Sequence, residues 1–482
     1  MGSLKTLLVF VVFIILLFFS SIQSYLYLEE SRQLWLTCYR HHCVCIIELG
    51  LYQTSSFLLV LRKGWAMATV VLLGTLDTKG VEYEYMRQHI VNAGCEVILI
   101  DAGIKGKPLT KPDITREEVA KAVNTDIAKL VALGDRGIAV ETMAHGATAI
   151  VRKLYAQGRL HGILGLGGSG GSALATEAMR ALPVGVPKLM VSTLASGDTR
   201  PYVGAVDVTM MYSVVDIAGI NRISERIMSN AAAAIAGMAQ NYSSFQPAPN
   251  AKPLIGATMF GVTTPAVTEA RQYLEERGYE VLVFHATGTG GRSMEALVNG
   301  GFLAGVLDIT TTELADELVG GVLSAGPDRL EAAGKHALPQ VVSLGALDMV
   351  NFGPLESVPE KFRHRKLYKH NPTVTLMRTT PAECAKLGHI IAQKLNQAKG
   401  PVALFIPLRG VSLIDIQGQA FYDPDADQAL INELKGGLKS SIEIHELDMD
   451  INDPRFAQAM AQRLIMYIHE RAGQAQQTGG SK

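Results

Sequence analysis

Net charge is all but missing from this chain. Its 44 Lys and Arg face 45 Asp and Glu, a formal balance of −1. No field of that size draws a protein to nucleic acid or acidic lipid, so neither is an expected partner. Cysteine is scarce, with five in 482 residues, and tryptophan scarcer, with two. Cys38, Cys43, Cys45, Trp35 and Trp65 all precede Met67, which leaves the rest with only Cys95 and Cys384. Two cysteines exclude a disulfide framework there and match a reducing compartment. Absent too are the Gly-Lys-Ser/Thr of a Walker A loop and an H-E-x-x-H pair. Those gaps set aside P-loop ATPases and zincins.

What the chain has is 48% hydrophobic residues, 18% charged residues and 47 glycines, many of them just after apolar runs. That composition is globular, and the length suits two domains with sizeable cores. Residues 1–66 stand apart. An apolar run over 7–19, preceded by Lys5 and followed by Ser20 and Ser21, reads as a signal peptide or short anchor. It is shorter than the roughly 20 residues of a spanning helix. The competing reading, an upstream extension with the protein proper beginning at Met67, is the expected one. A strand pattern starts directly after Met67, with no linker before it. Translation from Met67 implies the cytoplasm. His41, His42, Cys43 and Cys45 lack a second ligand pair at zinc-site spacing, so no metal ligands are assigned.

From Met67 onward strand-like runs alternate with helical patterns: strands at 68–73, 96–101, 162–166 and 188–193, helices at 80–93, 138–157, 172–181 and 220–240. The alternation predicts an α/β fold of mainly parallel sheets joined by right-handed crossovers. The polar stretch 241–253, with three prolines, is the expected linker. Beyond it the pattern restarts: 162–172, GILGLGGSGGS, parallels 305–315, GVLDITTTELA. Two Rossmann-like domains related by internal duplication are therefore expected, over 67–245 and 254–475, with a disordered tail at 476–482. The carboxyl ends of the strands are the default ligand site.

The strongest chemical signal is GLGGSGGS at 165–172, after a strand and opening a helix. Glycine lets a phosphate approach the backbone, and a helix N-terminus offers unpaired N–H groups and a positive dipole end. A packing turn that needs glycine is the alternative. An NAD site would put this turn after the first strand, so the pattern argues for another phosphate ligand. GTLDTKG at 74–80 follows the first strand. Asp77 and Thr78 suit a helix cap, whereas a cation at Lys79 opposes the helix dipole unless an anion is bound. STLASGDT at 192–199 forms a third polar strand end.

These three turns, with VVDIAGINRIS and SNAAAAIAGM further on, resemble the ATP-binding family typified by the tomato mosaic virus resistance protein, whose bacterial members form an uncharacterised two-domain family. The resemblance runs from Met67 to the last helix. It implies that Asp77, Thr78 and Lys79 contact ATP, that Arg136 supplies a cation, and that Gly167, Gly168, Ser169 and Gly170 cradle the phosphates. Mg2+ would accompany the nucleotide. The plant relative's viral partner has no marker in this chain.

In the second half, Asp308 and Thr310–Thr312 replace the glycine cradle. Asp308 suits proton transfer or metal binding, or equally a helix cap, with the threonines capping the next helix. His285, ending another strand, offers a second acid or base or a structural imidazole. The basic run 361–371, with Arg378 and Arg409, is either a solvated face or an anion pocket. Two functions remain: an ATP-dependent enzyme acting on a small anionic metabolite in the interdomain cleft, with Asp308 and His285 as its catalytic pair, or a non-catalytic nucleotide-binding regulatory or protein-interaction module. A homo-oligomer is the expected assembly.

Overall fold

The computed structural model describes residues 67–246 and 251–479, and an antiparallel pair, Cys45–Ile46 (β1) with Val60–Leu61 (β2). The expectations placed on the run at 7–19 and on His41, His42 and Cys43 lie outside the described residues. Among the described residues, no helix is long and apolar enough to cross a membrane.

The first sheet has five strands: β3 (Thr69–Gly74), β4 (Glu96–Asp101), β5 (Gly162–Gly167), β6 (Lys188–Ser192) and β7 (Thr209–Tyr212). Their order is β4-β3-β5-β6-β7 and all pairs are parallel. β3 reads TVVLLG and is buried throughout, as a central parallel strand covered on both faces must be. Period-2 alternation then divides its side chains between two helix layers. Val70 and Leu72 pack with Tyr83, Met86, Ile235 and Ala239, from helices Leu76–Asn92 and Arg222–Ser244. Val71 and Leu73 pack with Met143, Ala147, Leu174 and Met179, from helices Arg136–Ala156 and Ser169–Arg180. Each such Val or Leu contributes about 1.5–3 kcal/mol on burial.

The second sheet has six parallel strands: β8 (Leu254–Met259), β9 (Glu280–His285), β10 (Gly305–Thr310), β11 (Gln340–Gly345), β15 (Val402–Pro407) and β16 (Glu443–Leu447). Their order, β16-β15-β11-β10-β8-β9, repeats that of the first sheet with one strand added. Three antiparallel strands, β12 (Met349–Phe352), β13 (Leu367–Asn371) and β14 (Val374–Arg378), are inserted after β11. The closing helix runs Pro454–Gly479, so helix occupies four of the positions from 476 onward where a disordered tail was expected.

Candidate functional site

In both sheets the chain runs one way from its first strand, then returns to build the other side. The first domain reverses between β3 and β5, and the carboxyl ends beside such a reversal leave a crevice that ligands use. The turn at 74–80 leaves β3 and the glycine turn leaves β5, so the topology brings both to this crevice.

One buried side chain fixes the two strand ends together. The Tyr83 hydroxyl donates to the Leu73 carbonyl at 2.5 Å and accepts the Leu166 N–H at 2.9 Å. Burial pushes its phenol well above the ordinary tyrosine range. Gly167 lies so close to helix Ser169–Arg180 that a Cβ there would meet Gly171 Cα at 3.0 Å, and at Gly165 it would meet Ala175 Cβ at 2.5 Å. These two glycines are required by packing. Gly168 and Gly170 are not: their Cβ atoms would find only Thr193 Oγ1 at 3.6 Å and Arg136 Nη2 at 3.7 Å, ordinary contacts. Glycine at 168 and 170 leaves the first-turn amides uncovered, and those amides have no intrahelical acceptor. Ser169 is exposed beside them. Gly168 caps the helix without a side chain.

Arg136 opens its helix behind the cap of Asp135, whose carboxylate accepts the Ile138 N–H. Its guanidinium lies beside Gly170, thirty-four positions on in sequence, and among the described residues it has no ion pair. The third turn is tied to the second, because the Thr193 N–H donates to the Gly167 carbonyl. Its Asp198 is taken by the exposed Arg200, which holds that carboxyl at about 2.

The first turn is more constrained than its sequence implies. Asp77 Oδ2 accepts the N–H groups of Ile104, Lys105 and Gly106 at 3.2, 2.8 and 3.3 Å, so it organises the loop after β4. Asp101, buried at the end of β4, accepts the Leu76 and Gly103 amides at 3.0 and 2.8 Å. Burial pushes the Asp101 carboxyl up. Thr78 is exposed and its hydroxyl meets that of Thr75 at 2.9 Å. Lys79 leaves the helical conformation (φ −127°, ψ 16°), and its ammonium donates to the Ile217 carbonyl. Thr78, Ser169 and Arg136 are exposed beside the half-buried Lys79, Gly168 and Gly170, while Asp77 works behind the first turn. The contact with Ile217 was missed. VVDIAGIN was its only signal, and a motif does not show which side chain it meets.

In the second domain the expectation for Asp308 needs correction. Asp308 is 1% exposed, and Arg329 holds both its oxygens, Nη1 to Oδ2 at 2.5 Å and Nη2 to Oδ1 at 2.6 Å. Thr258 donates to Oδ1 at 2.7 Å. Arg329 also reaches Glu313 Oε2 at 2.7 Å, and Glu313 in turn accepts the Gly288 and Gly291 amides. Asp308 is a lattice point in a buried ion network, not a carboxylate facing a crevice. His285 is exposed at the end of edge strand β9, with no side-chain hydrogen bond among the described residues, and no contact joins it to Asp308. The anion pocket is not assembled either. Arg378 is buried against Asp415 and Asp427 at 3.1 and 2.7 Å, and Arg409 is paired with Asp448. Burial and mutual repulsion push the carboxyls of Asp348, Asp415 and Asp427 upward. Lys361, Arg363, Lys366 and Lys369 lie exposed on and before edge strand β13, a solvated face.

Fold and site together define a two-domain α/β protein with two doubly wound parallel sheets and a glycine-lined switch point in the first. The chain belongs to the uncharacterised protein family UPF0261. The family's N-terminal domain matches residues 68–244 and its C-terminal domain residues 252–468. A UPF0261 protein of Clostridium tetani is 56% identical over 397 residues, 82% of this chain and 98% of that one. Another, from Rhizobium meliloti, is 49% identical and covers 82% and 97%. The tomato (Solanum lycopersicum) ToMV resistance protein Tm-1(GCR237) is 40% identical over 82% of this chain but only 55% of its own length. The chain therefore spans about half of that plant protein.

Proposed function

We propose that the first domain binds ATP, with its phosphates at the β3–β5 switch point. The observation that carries this is the uncovered helix N-terminus at Ser169–Gly171, flanked by a guanidinium without an ion pair among the described residues and lined by two glycines that packing does not require. An anion suits that combination of free amides, dipole and cation. The likeness of the turns at 74–80, 165–172 and 192–199 to the ATP-binding family narrows the anion to a nucleotide. In this reading Lys79 and Arg136 neutralise phosphate, and the amides of Ser169–Gly171 orient it. Mg2+ would rest on phosphate oxygens and water, with the exposed Ser169 hydroxyl as the protein oxygen on offer. A cytoplasmic setting suits both ATP and the two buried free thiols, Cys95 and Cys384.

The second domain favours a binding role over turnover. Asp308 and Arg378, which an enzyme acting on a small anionic metabolite would use, are both consumed by buried partners. The test is a thermal-shift titration of the full chain with ATP–Mg2+, beside Lys79→Ala and Gly168→Asp. A ligand that binds only the native state raises its apparent stability by mass action. A rise in wild type that both variants lose supports the assignment. A well-folded sample that does not respond to millimolar ATP sinks it.

A further inference from the structure

The segment between β7 and helix Arg222–Ser244 is fastened to the first turn from two points on one helix. The Lys79 ammonium donates to the Ile217 carbonyl. One turn on, Glu82 Oε1 accepts the Gly219 N–H at 2.6 Å, and Glu82 is 3% exposed. The segment's ends are held as well, the Ser213 N–H by the Ser192 carbonyl and Asn221 by the helix cap with Ser224, and its middle is the looser part. Val214 sits in the left-handed region at φ 63°, which a β-branched residue disfavours, and its side chain is exposed, as is that of Ile220. Ile217 drives its side chain into the apolar core, and Ser213 is buried where the segment leaves β7.

Lys79 has no carboxylate partner among the described residues, and a peptide carbonyl is a neutral acceptor. A phosphate oxygen offers the same ammonium an opposite charge as well as a hydrogen bond. The ammonium carries three N–H donors, so the competition is for its position: a nitrogen drawn to a phosphate oxygen moves off the Ile217 carbonyl. We infer that nucleotide bound at this turn takes Lys79 from Ile217, so that residues 213–221 loosen when nucleotide binds and are clamped when it leaves. The inference rests on the ATP reading and adds to it a ligand-controlled segment at the carboxyl edge of the sheet. Because coupling is reciprocal, whatever weakens the clamp tightens nucleotide binding by the same factor. Glu82 is the positioning residue: it touches no ligand and sets the cost of release.

Two readouts on the full chain separate the inference from its premise. Calorimetry with ATP–Mg2+ reports binding, and hydrogen exchange read by mass spectrometry reports peptides spanning 213–221. Binding accompanied by several-fold faster exchange in those peptides is the expected result. Glu82→Gln should speed exchange without nucleotide and tighten ATP about fivefold, at the low end of ordinary couplings. Lys79→Met, which keeps the stem and removes the donor, should also speed exchange without nucleotide, and it guards against a misfolded Glu82 variant. Binding with unchanged or slower exchange at 213–221 overturns the clamp and spares the ATP site. Unchanged exchange in Lys79→Met overturns it as well. A flat calorimetric trace removes the premise, and the clamp with it.

Discussion

The hydroxyl end of Tyr83 occupies the space in which a side chain on Gly74 would begin. A Cβ on Gly74 would overlap Tyr83 Oη, Cζ and Cε2. Gly74 ends β3, and Tyr83 lies two turns into the helix that follows, bonded to Leu73 and Leu166 on the two strands that flank the switch point. The pair sets how closely helix Leu76–Asn92 approaches the strand ends, and so where the first turn stands relative to the glycine turn.

Gly74→Ala should therefore destabilise the first domain by more than the about 1 kcal/mol typical of a point substitution. Tyr83→Phe leaves the buried Leu166 N–H without its acceptor and should cost about 1–3 kcal/mol. Combining Gly74→Ala with Tyr83→Ala removes the overlap, so the double variant should lose less than the sum of the singles. Chemical denaturation of the four proteins of this cycle gives the coupling directly. Simple additivity would show that the close approach does not matter.

The glycines of the second turn should separate by role. Gly165→Ala meets Ala175 Cβ at 2.5 Å and Met190 Sδ at 3.0 Å, so it should destabilise the fold by about 1–3 kcal/mol, as overpacking does. Gly170→Ala meets nothing closer than 3.7 Å and lies in a helix, where Ala is better than Gly by roughly 0.5–1 kcal/mol. It should fold at least as well as wild type yet bind ATP about tenfold more weakly, because the methyl narrows access to the amides. Parallel melting curves with and without nucleotide read both effects. Unaltered ATP affinity in Gly170→Ala would remove that glycine from the cradle.

The architecture was legible because a buried parallel strand must be apolar along its whole length. Val70 to Leu73 and Ile163 to Leu166 announce themselves, and so do the glycines that follow. β7 does not: four residues, Thr-Met-Met-Tyr, on an edge carry neither a continuous apolar run nor strict alternation. β13 was hidden inside a basic run, because an edge strand with both faces partly wet needs no apolar signature. The site was legible in its glycines and its cations. Arg136 could be set beside Gly170 only through the family resemblance, since no local pattern spans such a separation. Asp308 was misread for a related reason. Its role is decided by Arg329, twenty-one positions away, and a lone arginine between Asp328 and Leu330 gives no sign that it will be fully buried.

That arginine should be the least replaceable residue of the second domain. Arg329 compensates Asp308 and Glu313, both buried, and lies 3.6 Å from Glu295. Arg329→Met keeps much of the volume but leaves uncompensated carboxylates in the core. Removing one partner of a buried pair costs about 3–5 kcal/mol. Calorimetric melting should show the second domain unfolding at lower temperature, with ATP binding by the remaining folded protein unchanged. A melting profile like that of wild type would mean that water reaches the network.

Asp316 supplies a pH dependence whose sign can be worked out. It is fully buried, accepts the Asn351 and Leu323 amides and the Asn351 side-chain amide, and burial pushes its carboxyl from the ordinary 3.8 up to about 7. Between those values the folded state holds a proton that the unfolded state has released, so stability falls as pH rises. The contribution is complete below pH 4 and lost by about pH 7, amounting to roughly 4 kcal/mol. Asp316→Asn should abolish this slope. The new amide needs an acceptor, and Asn351 Oδ1 is a buried oxygen without a partner, which a rotation of the Asn351 amide brings round. The variant should match wild type near pH 4, be the more stable of the two at pH 8, and show no loss between. Melting temperatures of both proteins across pH 4–9 test this. If the two curves run parallel, Asp316 is ionised in the native state throughout, and the amides of Asn351 and Leu323 outweigh the cost of its burial.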